Sequence, residues 1–151
     1  MNVGILGLGL IGGSLARAYS KYGHTVYAAE RDNNMLEFAQ LAGVVNGVLD
    51  TATLPCCQVV LLSVYTGGSI NWLEENAHNI SQDALVIDCC GIKREICECG
   101  FRLAEKYGFT FVGGHPMAGS HFSGFKYSRS NLFQGAPMVL VPGRFDDPIL
   151  L

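Results

Sequence analysis

The sequence predicts an α/β domain built on a doubly wound, mainly parallel sheet with helices on both faces. Two observations support this fold class. Apolar runs with strand character alternate with helical patterns along the whole chain, and this alternation is typical of parallel sheets with right-handed crossovers. In addition, residues 59–64, VVLLSV, are almost continuously apolar, as expected for a strand that is buried on both faces.

A glycine-rich turn near the start of the chain makes the prediction more specific. An apolar run at 2–6 has strand character, a helix is predicted over 13–19, and a second strand at 25–29 ends at Glu30. The turn between the first strand and the helix reads Gly7-Leu8-Gly9-Leu10-Ile11-Gly12. Strand, glycine turn, helix, strand and terminal carboxylate together form the dinucleotide-binding fingerprint of Rossmann-type domains.

Each glycine of the turn has a physical reason. Gly7 allows a tight turn out of the strand, where a side chain would clash. Gly9 leaves the backbone bare, so that a pyrophosphate can approach the amide groups and the positive dipole end of the following helix, and Leu10 and Ile11 complete the turn. Gly12 lets the helix lie close to the strand. These five residues are the predicted pyrophosphate-binding residues.

The two residues after the second strand bear on the choice of cofactor. Glu30 follows Gly12 at close to the spacing at which a carboxylate accepts hydrogen bonds from the adenosine ribose. A 2′-phosphate would be repelled by this carboxylate, which favours NAD over NADP. Arg31 is compatible with other interpretations, because an arginine here can pair with that phosphate, stack on the adenine, or simply be solvated. The expected cofactor is NAD.

The middle of the chain continues the alternation. A helix is predicted over 33–42, with Gly43 as the residue that follows its C-cap. Residues 44–49 are expected to hold a short strand, and 50–55 a loop or a short helix. Helices are then predicted at 69–79 and 92–107, and strands at 84–88, 109–112 and 138–141.

The end of the 59–64 strand is a second candidate contact with the cofactor. Ligands of open α/β sheets bind at the carboxyl edge of the strands. Ser63, Val64 and Tyr65 lie at this edge, directly before a glycine pair, and are predicted to line the cofactor site.

Composition excludes several classes of function. The net charge of −3 and the pI of about 5.7 give no basic surface for nucleic acid. The sequence has no apolar stretch of the ~18 residues that a membrane span needs, and it begins with a strand rather than a signal peptide. The expected location is the cytoplasm. Charged residues make up 15% of the chain, against ~25% in typical globular domains, which suggests a surface hidden against another domain or subunit.

The six cysteines do not form a recognisable site. They occur as two adjacent pairs and one CxC, without the spacing of structural zinc ligands. A disulfide framework is also not expected without a secretory signal. We therefore expect reduced thiols, most of them small buried apolar side chains, and no metal.

Residues 113–120, GGHPMAGS, form the other informative stretch. A histidine at the carboxyl end of a strand, followed by a rigid proline and a glycine turn, lies on the binding side of the sheet. Taken alone, a histidine that caps a strand is more often structural than catalytic. Together with the fingerprint, His115 is a candidate acid/base partner for a redox reaction at the nicotinamide.

These stretches resemble the prephenate and arogenate dehydrogenase family of tyrosine biosynthesis. The resemblance covers essentially all 151 residues and is carried by GLGLIGGSLARA at 7–18, DCCGIK at 88–93 and GGHPMAGSHFSGFKYSRSNLFQGAPMVLVP at 113–142. It corresponds to the family's N-terminal, NAD-binding domain, so residues 1–151 are expected to be that domain. The family's helical C-terminal domain, which dimerises and completes the substrate site, has no counterpart here, and the apolar end Ile149-Leu150-Leu151 is consistent with a fragment.

The resemblance implies oxidative decarboxylation of prephenate to 4-hydroxyphenylpyruvate, or of arogenate to tyrosine. His115 matches the family histidine that accepts the proton of the substrate hydroxyl, and Ser120 matches a small hydroxyl residue lining the pocket. Two positions differ from the family pattern. Gly91 stands where many members carry a serine that touches the substrate hydroxyl, and His121 stands where an acidic residue is common. These differences leave the choice between the two substrates open.

Two alternatives to this interpretation remain open. A β-hydroxyacid-type dehydrogenase shares the N-terminal fold but does not explain the 113–142 stretch. A nucleotide-binding or regulatory module without activity of its own is the alternative from another class, and the isolated chain is expected to be inactive because half of the pocket is missing. Measuring whether the chain turns over a substrate or only binds the nucleotide distinguishes an enzyme from such a module.

Overall fold

The computed structural model describes residues 1–143. The apolar end at 149–151 therefore lies outside the described residues. Seven strands form one sheet: β1 (Asn2–Leu6), β2 (Thr25–Ala29), β3 (Gly47–Val48), β4 (Val59–Leu62), β5 (Leu85–Asp88), β6 (Thr110–Pro116) and β7 (Met138–Pro142).

The order of the strands confirms the doubly wound α/β fold. In the sheet the order is β3-β2-β1-β4-β5-β6-β7, and every neighbouring pair is parallel except β6 and β7, which are antiparallel. The direction of winding reverses between β1 and β4, which creates the crevice in which ligands bind to such folds. The carboxyl ends of β1 and β4 flank this crevice, and they carry the glycine turn and Ser63.

Helices connect the parallel strands. They are α1 (Leu10–Lys21), α2 (Asn33–Leu41), α3 (Thr66–Asn76) and α4 (Arg94–Tyr107), with short 3₁₀ turns at Leu54–Cys56, Ala77–Asn79 and Phe125–Tyr127. Gly43 has a φ of +68°, the left-handed conformation predicted for the residue after the C-cap of α2. Asp32 caps α2 by accepting hydrogen bonds from the amides of Asn34 and Met35.

Several boundaries differ from the sequence prediction, of which three bear on the site. Helix α1 begins at Leu10 rather than 13, because Gly9 is its N-cap and the low helix propensity of Gly12 and Gly13 is overridden by packing. Helix α3 begins at Thr66, so the glycine pair that follows lies inside its first turn. Strand β6 runs to Pro116, well beyond 112, because β7 pairs with its end.

The core consists of two apolar clusters, one on each face of the sheet. One packs α3 and α4 on the sheet through side chains such as Leu73, Ile96 and Phe111. The other packs α1 and α2 through Val26, Leu36 and Phe125. Burial on both faces explains why β4 has no polar alternation. Within residues 1–143, no helix is long and apolar enough to cross a membrane.

Candidate functional site

The glycine turn has the close approaches for which glycine is required. Gly7 has a φ of +86°, and a Cβ there would lie 2.4 Å from Val64 Cγ1. A Cβ on Gly12 would lie 1.9 Å from the carbonyl oxygen of Gly7. Both positions exclude a side chain, so α1 packs directly against the end of β1, as predicted.

Gly9 differs from its two neighbours. Its φ of −69° and ψ of −159° are extended values that any residue adopts, and a Cβ there would meet no atom within 4 Å. Without a bound ligand, the conformation and packing of the chain therefore do not require glycine at this position. An open, bare N-cap above the first amides of Leu10 and Ile11 fits an anionic ligand at the start of α1.

Glu30 is held against the glycine turn. Its Oε2 accepts a hydrogen bond of 2.7 Å from the amide of Leu8, and its Oε1 accepts hydrogen bonds from the amides of Arg31 at 2.8 Å and Asp32 at 3.2 Å. The carboxylate is thus fixed at the carboxyl end of β2 and already joined to the turn. Sequence reasoning placed Glu30 near the ribose but missed this link, because a hydrogen bond to a backbone amide leaves no residue-type signal.

The end of β4 contributes three predicted residues. Ser63 Oγ is buried and has no hydrogen-bond partner among the described residues. The carbonyl oxygen of Val64 accepts hydrogen bonds from Cys90 Sγ at 2.6 Å and Ser69 Oγ at 3.3 Å. Tyr65 is the N-cap of α3 and is 94% exposed. Ser63 and Val64 thus lie beside the glycine turn, whereas the Tyr65 ring extends into solvent.

His115 lies half-buried near the carboxyl end of β6, opposite Val139 of β7. A Cβ built on Gly91 would lie 3.5 Å from His115 Cε1, so the turn after β5 directly faces the imidazole. The predicted pair of His115 and Gly91 is therefore brought together. The glycine at 91 leaves that side of the ring without a hydroxyl partner.

A buried charge pair lies beside this histidine. Asp88, at the end of β5, is completely buried, and its carboxylate accepts hydrogen bonds from the amide of Cys90 and from Lys93 Nζ. Lys93 Nζ also donates to the carbonyl oxygen of Gly114 at 2.5 Å. Burial lowers the pKa of the Lys93 ammonium, while the nearby Cys97 acts in the opposite direction. Both residues belong to the stretch DCCGIK at 88–93.

Ser120 and His121 lie on an exposed segment after β6. Ser120 Oγ accepts a hydrogen bond from the amide of Phe122 at 3.2 Å, and among the described residues no hydrogen bond joins Ser120 or His121 to His115. Further along, the segment is attached to α1: Arg17 Nε donates to Ser128 Oγ at 2.8 Å, and the amide of Arg129 donates to Ser14 Oγ at 3.0 Å.

The cysteines near the site are neutral thiols at physiological pH. Burial raises the pKa of Cys89 to about 12 and also raises that of Cys90. All six cysteines are free; Cys57, Cys89, Cys97 and Cys99 are buried, as expected for small apolar side chains, whereas Cys56 is exposed. Among the described residues, no group of three His, Cys, Asp or Glu side chains is arranged to hold a metal ion.

Fold and glycine turn together define the class of protein: a doubly wound nucleotide-binding domain with a histidine at the carboxyl edge of its sheet. The family model for "Prephenate dehydrogenase, nucleotide-binding domain" matches residues 15–150. The chain belongs to the prephenate dehydrogenase family and comprises its N-terminal, nucleotide-binding domain.

Similar proteins agree with this assignment. The prephenate dehydrogenase of Bacillus subtilis (strain 168) is 32% identical over 95% of this chain and 40% of its own length, and that of Lactococcus lactis subsp. cremoris (strain MG1363) is 33% identical over 90% and 39%. The chain therefore spans about 40% of the curated relatives that it matches.

Solved structures give the same result. Synechocystis arogenate dehydrogenase superposes with a TM-score of 0.87 at 31% identity, over 99% of this chain and 53% of that one. Prephenate dehydrogenase from Aquifex aeolicus, in complex with hydroxyphenyl propionate and NAD+, superposes with a TM-score of 0.82 at 29% identity, over 97% and 52%.

Proposed function

We propose that this chain is the NAD-binding half of a dehydrogenase that oxidatively decarboxylates prephenate. The observation that carries the proposal is the carboxylate of Glu30, held at 2.7 Å from the amide of Leu8 in the glycine turn. This carboxylate accepts from three amides in total, so its position is fixed before any ligand binds. A fixed negative charge beside the ribose site favours a free 2′-hydroxyl over a 2′-phosphate.

The other residues of the site fit a dinucleotide. The open N-cap at Gly9 leaves the first amides of α1 accessible to a pyrophosphate, and the buried hydroxyl of Ser63 has an unused donor beside the turn. Support also comes from the Aquifex aeolicus relative, whose structure contains NAD+. When bound, NAD supplies the hydride acceptor.

In this proposal His115 moves the proton. The imidazole accepts the proton of the hydroxyl on the substrate ring while the carbon bearing that hydroxyl gives up its hydride. The carboxyl group on the ring then leaves as CO2, the ring becomes aromatic, and His115 returns the proton to the phenolate oxygen. Prephenate is thus converted to 4-hydroxyphenylpyruvate with no net release of a proton. General-base assistance of this type contributes ~10²–10⁴-fold in rate.

Arogenate is the second candidate substrate. It is favoured by the similarity to Synechocystis arogenate dehydrogenase, and the two departures at Gly91 and His121 leave the choice of substrate open. We assign Ser120 and His121 to the side of the pocket that meets the substrate side chain, pyruvyl in prephenate and alanyl in arogenate. The remaining part of the pocket, and dimerisation, would come from a second domain outside residues 1–151.

Two measurements test the proposal. Calorimetric titration of the chain with NAD and NADP should give tighter binding of NAD, and Glu30→Gln should reduce the difference between the two affinities. Equal affinities in the wild type would mean that Arg31, rather than Glu30, determines the choice of cofactor. Absorbance of NADH then reports turnover of prephenate and arogenate. In a form of the protein that turns over either substrate, His115→Asn should retain NAD affinity and lower kcat by ~10²-fold or more. Binding of NAD without turnover in any form supports a nucleotide-binding module instead.

A further inference from the structure

Strand β6 continues past the end of its neighbour β5. The register of the two strands ends at the pair Asp88 and Gly113, whereas β6 goes on through Gly114 and His115 to Pro116. Over these last residues β6 has a strand neighbour only on its β7 side. On its other side, the register with β5 stops one residue short of Gly114, which directly precedes His115.

Lys93 occupies this position. Its Nζ donates to the carbonyl oxygen of Gly114 at 2.5 Å and to the Asp88 carboxylate, and its side chain is 18% exposed. The carboxylate is fixed in turn by the amide of Cys90 at 3.1 Å. The ammonium therefore joins the end of β5 to the main chain of β6, one residue before His115.

Close packing of backbone makes this arrangement possible. A Cβ on Gly114 would lie 2.5 Å from the carbonyl oxygen of Asp88, and a Cβ on Gly113 would lie 2.5 Å from Cys97 Sγ and 3.5 Å from Lys93 Cδ. The two glycines before His115 thus allow β5, α4 and the lysine stem to pack directly against β6. Displacement of this strand end would displace the imidazole from Gly91 as well.

We infer that Lys93 is a positioning residue for His115: through Gly114 it fixes the strand end that carries the imidazole, and thereby the contact between the His115 ring and Gly91. A general ion-pair role in stability predicts instead that the lysine can be replaced without moving the ring, provided that the chain folds. The two roles therefore predict different outcomes for the contact between His115 and Gly91 when Lys93 is replaced. This contact can be observed in the chain without a bound ligand.

The experiment measures the nuclear Overhauser effect between His115 Hε1 and Gly91 Hα in this chain. The His115 signal is identified by its loss in His115→Asn. We expect a strong effect in the wild type, because His115 Cε1 lies 3.5 Å from the Cβ position of Gly91. The intensity of this effect should be lost or at least halved in Lys93→Met. It should be retained in Lys93→Arg, because an arginine can still donate to both partners. It should also be retained in the neighbouring control Arg94→Met, which removes an exposed cation from the same helix turn.

Lys93→Met leaves the buried Asp88 carboxylate without its cation and is expected to destabilise the chain. The double variant Asp88→Asn/Lys93→Met removes both charges and decides the question if the single variant does not fold. An undisturbed contact between His115 and Gly91 in either folded variant overturns the inference. Effects between methyl groups of Val60 and Val86, in the core of the sheet, verify in each variant that the fold is intact.

The meaning of this positioning for catalysis rests on the proposed function. Where His115 accepts the substrate proton, Lys93→Met should lower kcat by as much as ~10²-fold, since a displacement of about 1 Å can cost that much. NAD affinity should stay within about twofold of the wild type, because the glycine turn is untouched. Absence of turnover in a wild-type form that carries the second domain would contradict the proposed function but not the positioning, which the contact measures independently.

Discussion

Replacing Gly9 with alanine separates ligand binding from folding at the glycine turn. Alanine fits the free chain, because Gly9 has extended dihedral angles and its Cβ would meet no atom within 4 Å. Alanine restricts the unfolded chain, which stabilises the fold by ~0.4–1 kcal/mol. It is also a poorer N-cap than glycine, which costs a similar amount, of order ~0.5–1 kcal/mol. The two effects offset each other, so the melting temperature should change by no more than about 2–4 °C.

The effect on dinucleotide affinity should be much larger. The methyl group projects into the space through which the pyrophosphate reaches the amides at the start of α1. Loss of one hydrogen bond to a charged group costs ~1.5–3 kcal/mol, which corresponds to ~10- to 100-fold weaker binding of NAD. Isothermal titration calorimetry measures this affinity, and differential scanning fluorimetry measures the melting temperature of the same sample.

Two further alanine variants are matched controls. At Gly12 the Cβ would lie 1.9 Å from a backbone oxygen, so Gly12→Ala should melt at a much lower temperature. At Gly119, on the exposed segment after β6, the Cβ is again in open space, so Gly119→Ala should leave both affinity and stability nearly unchanged. Wild-type NAD affinity in Gly9→Ala would refute the assignment of this turn to the pyrophosphate.

Three other predictions concern the pH dependence, the imidazole and the segment after β6. Burial raises the pKa of Cys89 from 9.0 to about 12, so the protonated thiol stabilises the fold below pH 9. This contribution to the free energy of unfolding should fall by up to ~1.4 kcal/mol per pH unit between pH 9 and 12. In chemical denaturation under reducing conditions, the free energy of unfolding of Cys89→Ala should therefore depend less on pH in this range than that of the wild type. Gly91→Ser should fold normally, because its Cβ would be at 3.5 Å from His115 Cε1, and should shift the His115 Hε1 resonance; an unchanged resonance contradicts the contact. Phe125 is 1% exposed, so Phe125→Ala should lower the free energy of unfolding by ~3–5 kcal/mol in urea denaturation, whereas the exposed Phe122→Ala should change it little.

Much of the fold was predictable because its signals are local. The apolar run of β4, the glycine turn and the C′ glycine at Gly43 are consequences of burial or backbone conformation at single positions, and the structure confirms each of them. The end of β6 was not predictable in this way. Its extension to Pro116 depends on pairing with β7, and the glycines at 113 and 114 have low strand propensity.

The site was predictable to a lesser extent, for a related reason. His115 and Gly91 were singled out by residue type and motif, and they are neighbours in the structure. The hydrogen bonds from Leu8 to Glu30 and from Lys93 to Gly114 involve main-chain atoms, which any residue supplies. No pattern of residue types indicates such contacts, so they had to be found in three dimensions.

The antiparallel pairing of β6 with β7 has a consequence for the order in which the protein is made. The strands β1, β2 and β4, which flank the glycine turn, belong to the first 62 residues and can pair while the rest of the chain is still being synthesised. His115 pairs with Val139, so its strand end cannot be completed until residues 138–142 have left the ribosome. A nascent chain arrested before that point therefore already contains the elements of the nucleotide site but lacks the strand that fixes the histidine.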